Sequence, residues 1–292
     1  MKIGKYIVEL SSEDKIFFPD AEIVKGDIIS YYMDVYKLMQ PFLQNRPVMI
    51  ERFPDGIDAE GFYQKSVSDY FPNYIDPISV EKEDGNIEHI SCNSKAALVY
   101  LANQGTITFH NWLSSQEALD SPKEFVIDLD PPGGDFEIAR EGALIIREFL
   151  GDKSISSFVK TTGSEGLHIH IPIKTSSNYD EVREVAKELG ESLAKQYPDV
   201  FTMAQRKDER KGKLFFDIHA MAYGQTSVTP YSIRPIKNAP IATPLDWSEL
   251  KEKDLGPQSY HLKNIRKRLS QKKNPWKGYR KHAIAIKRLY SD

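Results

Sequence analysis

The sequence predicts an α+β fold with mixed, largely antiparallel sheets flanked by helices. Segments with apolar residues at helical spacing alternate with short apolar segments that have the length and composition of strands. Several strand segments follow one another after only a short turn, which is typical of antiparallel hairpins. The clearest is ISVEKEDGNIEHIS, in which Asp84 and Gly85 supply a turn with positive φ. Hairpins among alternating strands and helices favour this fold over a doubly wound sheet.

The first half of the chain contains two predicted helices and two clear strands. Apolar residues at helical spacing predict a helix from about Lys25 to Leu43. The segment RPVMIERFP predicts a strand that leads into a glycine-rich loop and then FYQK. KAALVYLANQG predicts a short helix closed by Gly105, and TITFHNW predicts the next strand.

The second half begins with KEFVIDLDPP, an apolar strand that two prolines terminate. DFEIAREGALIIREFLG predicts a helix of about fifteen residues with Gly151 as its C-cap. SSFVKTT and LHIHIPI predict strands on either side of the turn GSEG, and a helix follows from Tyr179 to Gln196. KLFFDIHA predicts a further strand, and the segment after Pro257 is predicted to be helical.

Composition indicates an ordinary folded protein. Of the 292 residues, 40% are hydrophobic and 28% are charged, which is the usual range for globular domains. No apolar run is long enough to span a membrane, and no secretory signal is evident at the first residues. Cys92 is the single cysteine, so an internal disulfide is excluded. We therefore expect a cytoplasmic protein with no membrane partner.

Basic residues are concentrated in the last part of the chain, although the net charge is −3. Between Lys263 and Arg288 the sequence has eleven Lys or Arg residues and no acid. A second basic cluster contains Arg206, Lys207, Arg210, Lys211 and Lys213. Such clusters attract a phosphate backbone through counterion release, but for either one taken alone a solvated helical face is the better interpretation.

Two acids mark the end of the FVIDLD strand. Asp128 and Asp130 are two residues apart, a spacing that puts both carboxylates on one face of a strand. Such a pair can share the divalent ions that neutralise a triphosphate and activate a 3′-hydroxyl. The alternative is that these residues only cap a helix or form a turn. Two carboxylates on an apolar strand would be costly without a metal or donors, which favours the metal site.

Further polar residues accompany this pair. Asp217 follows an apolar strand-like segment, which gives a third candidate acid. The turn in TTGSEGLHIHI offers backbone N–H groups and hydroxyls to a phosphate, and it delivers His168 and His170 to one strand face. A protonated histidine can bond a triphosphate oxygen. A satisfied pair of histidines and a zinc site remain alternatives.

At this point the order of the motifs is informative. DLDPP, TTGSEGLH, GKLFFD, TPYSIRP and APIATPLDW resemble the polymerase domain of bacterial ligase D, a branch of the archaeo-eukaryotic primase superfamily. The segments DKIFFP, NRPVMIERFPDGI, GFYQK and ITFHNW resemble the N-terminal half of that family in the same order. The resemblance therefore covers nearly the whole chain. It implies a primase-like fold and template-directed nucleotide addition, with ribonucleotides and manganese preferred, at broken DNA ends in non-homologous end joining.

The resemblance also implies roles for individual residues. Asp128, Asp130 and Asp217 match the catalytic carboxylates that hold two Mn²⁺ or Mg²⁺ ions. The nucleotide-binding candidates, which hold the triphosphate or stack on the base or sugar, are Phe62, Tyr63, His110, Thr162, His168 and Arg234. Lys15 and Lys25 match lysines that bind a 5′-phosphate across a gap, and Arg210 matches a residue near the primer terminus.

Two positions depart from the family pattern. Glu165 stands in the TTGSEG turn where relatives commonly have Lys or Arg, and Glu51 stands where some have Lys. Both changes lower the affinity expected for the nucleotide. Arg52 or the Ser164 hydroxyl is expected to compensate, and both are added to the nucleotide-binding candidates.

These features predict a DNA-end primase-polymerase that forms a single domain over residues 1–292. Within it, residues 1–115 would bind the 5′-phosphate and part of the nucleotide, 116–256 would form the catalytic core, and 257–292 would form a basic helical tail. Its partners would be gapped or broken DNA, NTP or dNTP, a separate DNA ligase and a Ku-type end-binding protein. The alternatives are a non-catalytic module that binds 5′-phosphorylated ends and a glycosyltransferase with a D-x-D motif. The second alternative leaves Lys15, Lys25 and the basic tail unexplained.

Overall fold

A computed structural model describes residues 1–82 and 85–290 and has the predicted α+β composition. The α-helices are α1 (Lys25–Leu43), α2 (Lys95–Asn103), α3 (Phe136–Asp152), α4 (Tyr179–Gln196) and α5 (Ile265–Gln271). The strands are β1 (Lys2–Ile3), β2 (Tyr6–Ile7), β3 (Ile16–Phe18), β4 (Ile23–Val24), β5 (Val48–Arg52), β6 (Phe62–Gln64), β7 (Ile78–Lys82), β8 (Gly85–His89), β9 (Thr106–Trp112), β10 (Glu124–Leu129), β11 (Phe158–Thr161), β12 (Leu167–Pro172), β13 (Phe201–Thr202), β14 (Leu214–Phe215), β15 (Thr226–Val228) and β16 (Pro244–Leu245). None of the described helices is long and apolar enough to cross a membrane.

The chain divides into two compact units, each with its own sheet. The first unit contains Met1–Leu119, Thr226–Ala242 and Tyr260–Arg268, and the second contains Asp120–Gln225, Thr243–Ser259 and the residues from Leu269 onward. The first sheet has the strand order β15-β9-β5-β6 and the second β10-β12-β11-β16. Every pairing within these two sheets is antiparallel, whereas β13 and β14 pair in parallel. The prediction of mixed, largely antiparallel sheets is confirmed.

In the first unit, α1 begins and ends where its apolar spacing predicts. Its buried face includes Ile28, Tyr32, Val35 and Met39, which follow one another at intervals of three or four residues. The Tyr32 hydroxyl donates to the Ile107 carbonyl of β9, so the helix is fixed to the sheet by a polar contact as well as by burial. Gly105 follows α2 with φ of +84°, which confirms its expected place at the end of that helix.

The second unit is built around β10, which is buried on both faces apart from Asp128. This burial explains the continuous apolar run before the two acids, because neither face of the strand meets water. Helix α4 begins at a capping box formed by Asn178 and Glu181. It buries Val182, Leu189 and Leu193, as the helical spacing predicts.

The end of α3 differs from the prediction. Gly151 lies inside the helix, which continues to Asp152 and has Lys153 as its C-cap. The residue that takes the left-handed conformation is Ser154, with φ of +55°. The Ile155 backbone N–H then bonds to the Leu150 carbonyl at 2.9 Å, so the turn closes with a serine at the position that glycine usually occupies. The prediction of Gly151 as the C-cap is therefore wrong.

The predicted strand KLFFDIHA is also much shorter than expected. Only Leu214 and Phe215 form β14, and Asp217 is instead the N-cap of a short 3₁₀-helix, Ile218–Met221. The Asp217 carboxylate accepts a hydrogen bond from the His219 backbone N–H at 2.8 Å. Aspartate at this position stabilises a helical turn, and that local bond ends the strand before the acid.

The hairpin of β7 and β8 is confirmed by its antiparallel pairing, while the expected turn residue Asp84 lies outside the described residues. After Pro257, helical structure comes in short pieces: α5 and the 3₁₀-helices Tyr279–His282 and Ile286–Leu289. Apolar side chains of this segment, among them Trp276, are buried. The segment is therefore part of the packed fold as well as basic.

Candidate functional site

Three strands of the second unit bring a lysine, a histidine and an aspartate into one row. Lys160 of β11 is the cross-strand partner of His168 on β12, and His168 is the partner of Asp128 on β10. Directly opposite residues share one face of a sheet, so the three side chains are neighbours. His168 Nε2 lies 3.4 Å from Asp128 Oδ1. Lys160 and His168 are buried, and Asp128 is half-exposed at the open end of the row.

Burial and the neighbouring Lys160 ammonium lower the pKa of His168 to about 4, although Asp128 acts in the opposite direction. The imidazole is therefore neutral near pH 7. This differs from the expected protonated histidine, because the desolvation cost and the buried lysine outweigh the one carboxylate. His168 can still donate one N–H hydrogen bond to a phosphate oxygen in its neutral form.

The turn between β11 and β12 closes over the end of β10. A Cβ atom at Gly166 would lie 2.1 Å from the Leu129 carbonyl oxygen, so only glycine permits this approach. The Thr162 hydroxyl accepts hydrogen bonds from the backbone N–H groups of Ser164 and Gly166, at 3.2 and 3.1 Å. Thr162, a predicted nucleotide-binding residue, therefore organises the turn itself. Ser164 lies at its half-buried tip.

A pocket of about 380 Å³ opens beside this turn. Its acidic lining residues are Asp130 and Glu165, and its basic ones are Lys207, Arg210 and Lys213. Burial, followed by the nearby carboxylates of Asp128 and Glu165, raises the pKa of Asp130, and Lys207 and Arg210 act against this rise. Burial is the larger cause, and the carboxylates also repel one another; a bound cation would offset both effects.

Asp128 and Asp130 have the chemistry of a divalent cation site, because Mg²⁺ and Mn²⁺ prefer carboxylate oxygens. The third acid does not complete the set in this arrangement. Within residues 1–82 and 85–290, no group of three His, Cys, Asp or Glu side chains is close enough to hold a metal ion. Asp217 already accepts the bond from His219 N–H. The pair fits a cation, but the predicted three-acid set is not assembled.

Arg210 is fixed by its own loop. Its guanidinium donates to the carbonyl oxygens of Ala204 and Gln205, at 3.2 and 2.9 Å. It also lies 4.1 Å from the centre of the Phe215 ring. These contacts hold the predicted primer-side residue at the rim of the pocket that contains Asp130.

In the first unit, Lys15, Lys25 and Arg52 line one pocket of about 180 Å³. Lys15 Nζ bonds to the Asp55 carboxylate, and Lys25 Nζ bonds to the Ser11 carbonyl. Burial, and then the Lys15 ammonium, lowers the pKa of Lys25. Three cations on one concave surface suit a phosphate group. Arg52, which the sequence grouped with the nucleotide-binding residues, thus lies beside the two lysines expected to bind a 5′-phosphate.

Phe62 and Tyr63 lie on the exposed strand β6 but face different neighbours. Phe62 pairs with Arg52 across the strands, and the Arg52 guanidinium lies 5.2 Å from its ring centre. Tyr63 pairs with Glu51, and its ring lies 6.1 Å from that of His110. Successive residues of a strand point to opposite faces. The expected aromatic pair is therefore divided between the Arg52 side and the His110 side.

Tyr63 and His110 form a small surface that also has charged neighbours. Burial, and then the Glu51 carboxylate, raises the pKa of the Tyr63 phenol, while the guanidinium of Arg234 acts in the opposite direction. Arg234 belongs to the same unit as both rings. An exposed aromatic ring beside a histidine and an arginine can stack on a base and bond to a phosphate.

His170, the second histidine of β12, has a structural environment. Its Nδ1 lies 2.9 Å from Glu124 Oε2, and both side chains are almost completely buried. Glu124 also contacts the Tyr279 hydroxyl at 3.3 Å and the Arg280 guanidinium at 3.0 Å. This favours a structural role for His170, which is held through its Nδ1 atom. Neither this network nor Lys160 was predicted from the sequence, although the lysine within the apolar strand segment FVKTT was a signal for Lys160.

Comparison with known proteins agrees with this geometry. Residues 24–276 match the family "LigD, primase-polymerase domain". The bifunctional non-homologous end joining protein LigD of Bacillus subtilis is 32% identical over 271 residues, which cover 92% of this chain and 43% of that protein. The multifunctional LigD of Mycolicibacterium smegmatis is 26% identical over 255 residues, 85% of this chain and 33% of that protein. The chain thus spans less than half the length of these relatives.

A solved structure has the same fold. It is the polymerase domain from Mycobacterium tuberculosis Ligase D in complex with DNA, with a TM-score of 0.87 and 24% sequence identity. The superposition covers 95% of this chain and 99% of that chain. The primase-like fold expected from the sequence is confirmed.

Proposed function

The chain belongs to the LigD primase-polymerase domain family, whose members are metal-dependent, DNA-directed nucleotidyltransferases, and on that premise we propose a specific reaction for it. It adds nucleotides to primer 3′ ends at gaps and broken DNA ends in non-homologous end joining. The observation that carries this proposal is the pocket that Asp130 and Glu165 line together with Lys207, Arg210 and Lys213, at the end of the strand that carries Asp128. Such a site has carboxylates for a cation and basic groups for a polyphosphate.

Each residue of this region has a role in the proposed reaction. Asp128 and Asp130 would hold divalent cations, two Mn²⁺ or Mg²⁺. The family resemblance implies Asp217 as a further ligand, but the structure does not gather it with this pair in the described residues. When bound, these ions neutralise the triphosphate and lower the pKa of the primer 3′-hydroxyl. The neutral His168 donates an N–H to a phosphate oxygen. Ser164 contributes a hydroxyl of the turn, and Arg210 approaches the primer terminus.

Residues of the first unit have the other roles that the family resemblance implies. Tyr63 would stack on the base or sugar of the nucleotide, and His110 and Arg234 would bond to its phosphates. Phe62 and Arg52, which pair with each other across the strands, would act on the side of the 5′-phosphate pocket instead. Because the relative from Mycobacterium tuberculosis was solved in complex with DNA, we propose DNA as the second substrate. A DNA ligase and a Ku-type end-binding protein would act with this domain.

The direct test is primer extension on a gapped duplex, with each nucleotide and with Mn²⁺ or Mg²⁺. Incorporation would support the polymerase, and its complete absence under all these conditions would overturn it. One observation favours a second candidate, a module that binds DNA ends without catalysis: the three acids are not gathered in the described residues. That candidate predicts tight binding of DNA ends with no incorporation.

Ribonucleotides should be used more efficiently than deoxyribonucleotides by about 5- to 150-fold, because a buried polar group that loses its partner costs about 1–3 kcal/mol. The candidate partner of the 2′-hydroxyl is His168, whose other ring nitrogen can accept from that hydroxyl, since the Thr162 hydroxyl is already bonded within its turn. The measurement is kcat/KM for one base as NTP and dNTP with the same metal. Equal values for the two sugars would contradict the prediction.

Removal of the downstream 5′-phosphate from a gapped duplex should weaken binding by about tenfold, because charge-assisted bonds from Lys15 and Lys25 would be lost. Lys15 precedes the matched residues 24–276, so its role depends on the pocket that it shares with Lys25 and Arg52. Fluorescence anisotropy at several salt concentrations gives the affinities.

In the Lys15→Ala, Lys25→Ala double variant, removal of the phosphate should have little effect, and the salt dependence should be shallower by about one counterion per lost contact. Lys187→Ala, an exposed lysine on α4, is the matched control and should behave as wild type. If wild-type protein binds phosphorylated and unphosphorylated gaps equally at moderate salt, the pocket is not a 5′-phosphate site.

A further inference from the structure

A groove rich in tyrosine adjoins the pocket of Lys15, Lys25 and Arg52. It has a volume of about 580 Å³, and three tyrosine side chains line it: Tyr70, Tyr74 and Tyr100. A volume of several hundred Å³ is typical of sites that enclose a small organic ligand. None of the roles proposed above uses this groove.

The groove and the cationic pocket share a wall. Ser11, Asn103 and Gln104 line both concavities. The wall is held by polar contacts, because the Asn103 side chain accepts from the Ser11 backbone N–H at 3.1 Å and donates to the Glu9 carbonyl at 3.0 Å. A ligand that extends over this wall would therefore meet cations on one side and aromatic rings on the other.

Arg52 links the two concavities directly. Its guanidinium donates to the Gln104 carbonyl on the wall and to the Tyr70 hydroxyl in the groove, at 2.8 and 3.1 Å. A phosphate bound near Arg52 would thus be close to the Tyr70 ring.

The rings pack so that one of them, that of Tyr70, remains exposed to a ligand. Phe71 packs edge to face against both Tyr70 and Tyr100, with ring centres 5.1 and 5.6 Å away, and Tyr74 packs in the same way against Tyr100 at 6.1 Å. Tyr74 also contacts Tyr6 at 4.8 Å. Tyr70 is nevertheless 60% exposed. Packing from behind holds the cluster in place, while the exposed ring can stack on a planar ligand.

We propose that this groove binds an unpaired nucleobase at the 5′-phosphorylated end of the downstream DNA strand. This site rests on the proposed 5′-phosphate pocket. The phosphate and the base of a 5′-terminal nucleotide belong to the same residue, so they can occupy the adjoining cationic and aromatic concavities together. Stacking on tyrosine is tolerant of base identity, so any base can occupy the groove. The domain would then accept ends whose first 5′ nucleotide is unpaired.

The test uses four gapped duplexes that differ only at the 5′ end of the downstream strand. That end carries either one unpaired thymidine or an abasic tetrahydrofuran, each with and without a 5′-phosphate. Affinities of the full chain are measured by fluorescence anisotropy. The phosphorylated thymidine end should bind about tenfold more tightly than the phosphorylated abasic end, as expected for stacking of one base.

Two variants locate the base. Tyr70→Leu removes the exposed ring and should reduce the preference for a base, whereas Tyr70→Phe keeps the ring and should retain it. Tyr223→Leu, an exposed tyrosine of the second unit, is the matched control and should leave the preference unchanged. Circular dichroism verifies folding, and a Tyr74→Leu, Tyr100→Leu variant extends the test to the other two rings.

The outcomes separate this inference from the proposed pocket. Equal binding of thymidine and abasic ends, with a preserved effect of the phosphate, would overturn base binding by the groove but not phosphate binding by the pocket. The same result is expected if the true occupant of the groove is an apolar peptide. A preference for the base that persists in Tyr70→Leu and in the Tyr74→Leu, Tyr100→Leu variant would also overturn the proposal that the groove binds a base. If wild-type protein binds phosphorylated and unphosphorylated ends equally, the proposed 5′-phosphate pocket is overturned instead.

Discussion

Primer extension should fall by about 100-fold or more when Asp128 or Asp130 is replaced by asparagine, because each change removes a carboxylate charge that stabilises the cations and the transition state. Asp128 is at the open end of the row formed with His168 and Lys160, and Asp130 lies just beyond the end of β10. Asparagine has nearly the same shape, so the fold should persist. The measurement is single-turnover incorporation on a gapped duplex at saturating nucleotide.

DNA affinity provides the control for this prediction. The cations serve the chemistry of transfer, so binding of the gapped duplex should change by no more than about twofold, which is well under 1 kcal/mol. Asp199→Asn, an exposed acid of the second unit, should have wild-type activity. Near-normal incorporation by Asp128→Asn or Asp130→Asn would remove the assignment of these carboxylates to the metal site.

Glu124→Ala should lower the free energy of unfolding by about 3–5 kcal/mol, since it leaves buried partners without their carboxylate. The side chain of Glu124 is completely buried and contacts His170, Tyr279 and Arg280. These contacts join β10, near the start of the second unit, to the C-terminal segment of the same unit. Urea denaturation monitored by circular dichroism measures the change.

Two further variants make the Glu124 result specific. Glu124→Gln keeps an acceptor in place and should cost less than the alanine change. Glu252→Ala removes a carboxylate that is 56% exposed and 3.5 Å from Lys272, so it should cost less than about 1 kcal/mol. If Glu124→Ala and Glu252→Ala destabilise the protein equally, the buried network does not contribute the stability inferred for it.

Much of the second unit was predictable because its signals are local. The bounds of α4 follow from apolar spacing and from Asn178, which begins a capping box. The strand that carries Asp128 followed from a short apolar run terminated by prolines. These patterns depend on residues within a few positions of one another, so one sequence is sufficient to identify them.

Local signals failed where two local structures compete. Gly151 was expected to end α3, yet Ser154 takes the left-handed conformation and the helix continues past the glycine. Apolar residues before Asp217 predicted a strand, but the carboxylate bonds to the His219 N–H and begins a helical turn. In both cases a single hydrogen-bonded turn decided the outcome, and its free energy is too small for sequence pattern to anticipate.

The sequence by itself determined the α+β class, the main helices and strands, and the segments that carry Asp128, His168, Lys15 and Lys25, because each depends on local spacing and motif order. Only the tertiary structure decided which of these residues are neighbours. Lys160 lies beside His168 through strand pairing, and Arg52 joins Lys15 and Lys25 in one pocket. The pocket contacts join residues far apart in the sequence, and the strand contacts depend on register, which is fixed by packing of the whole sheet.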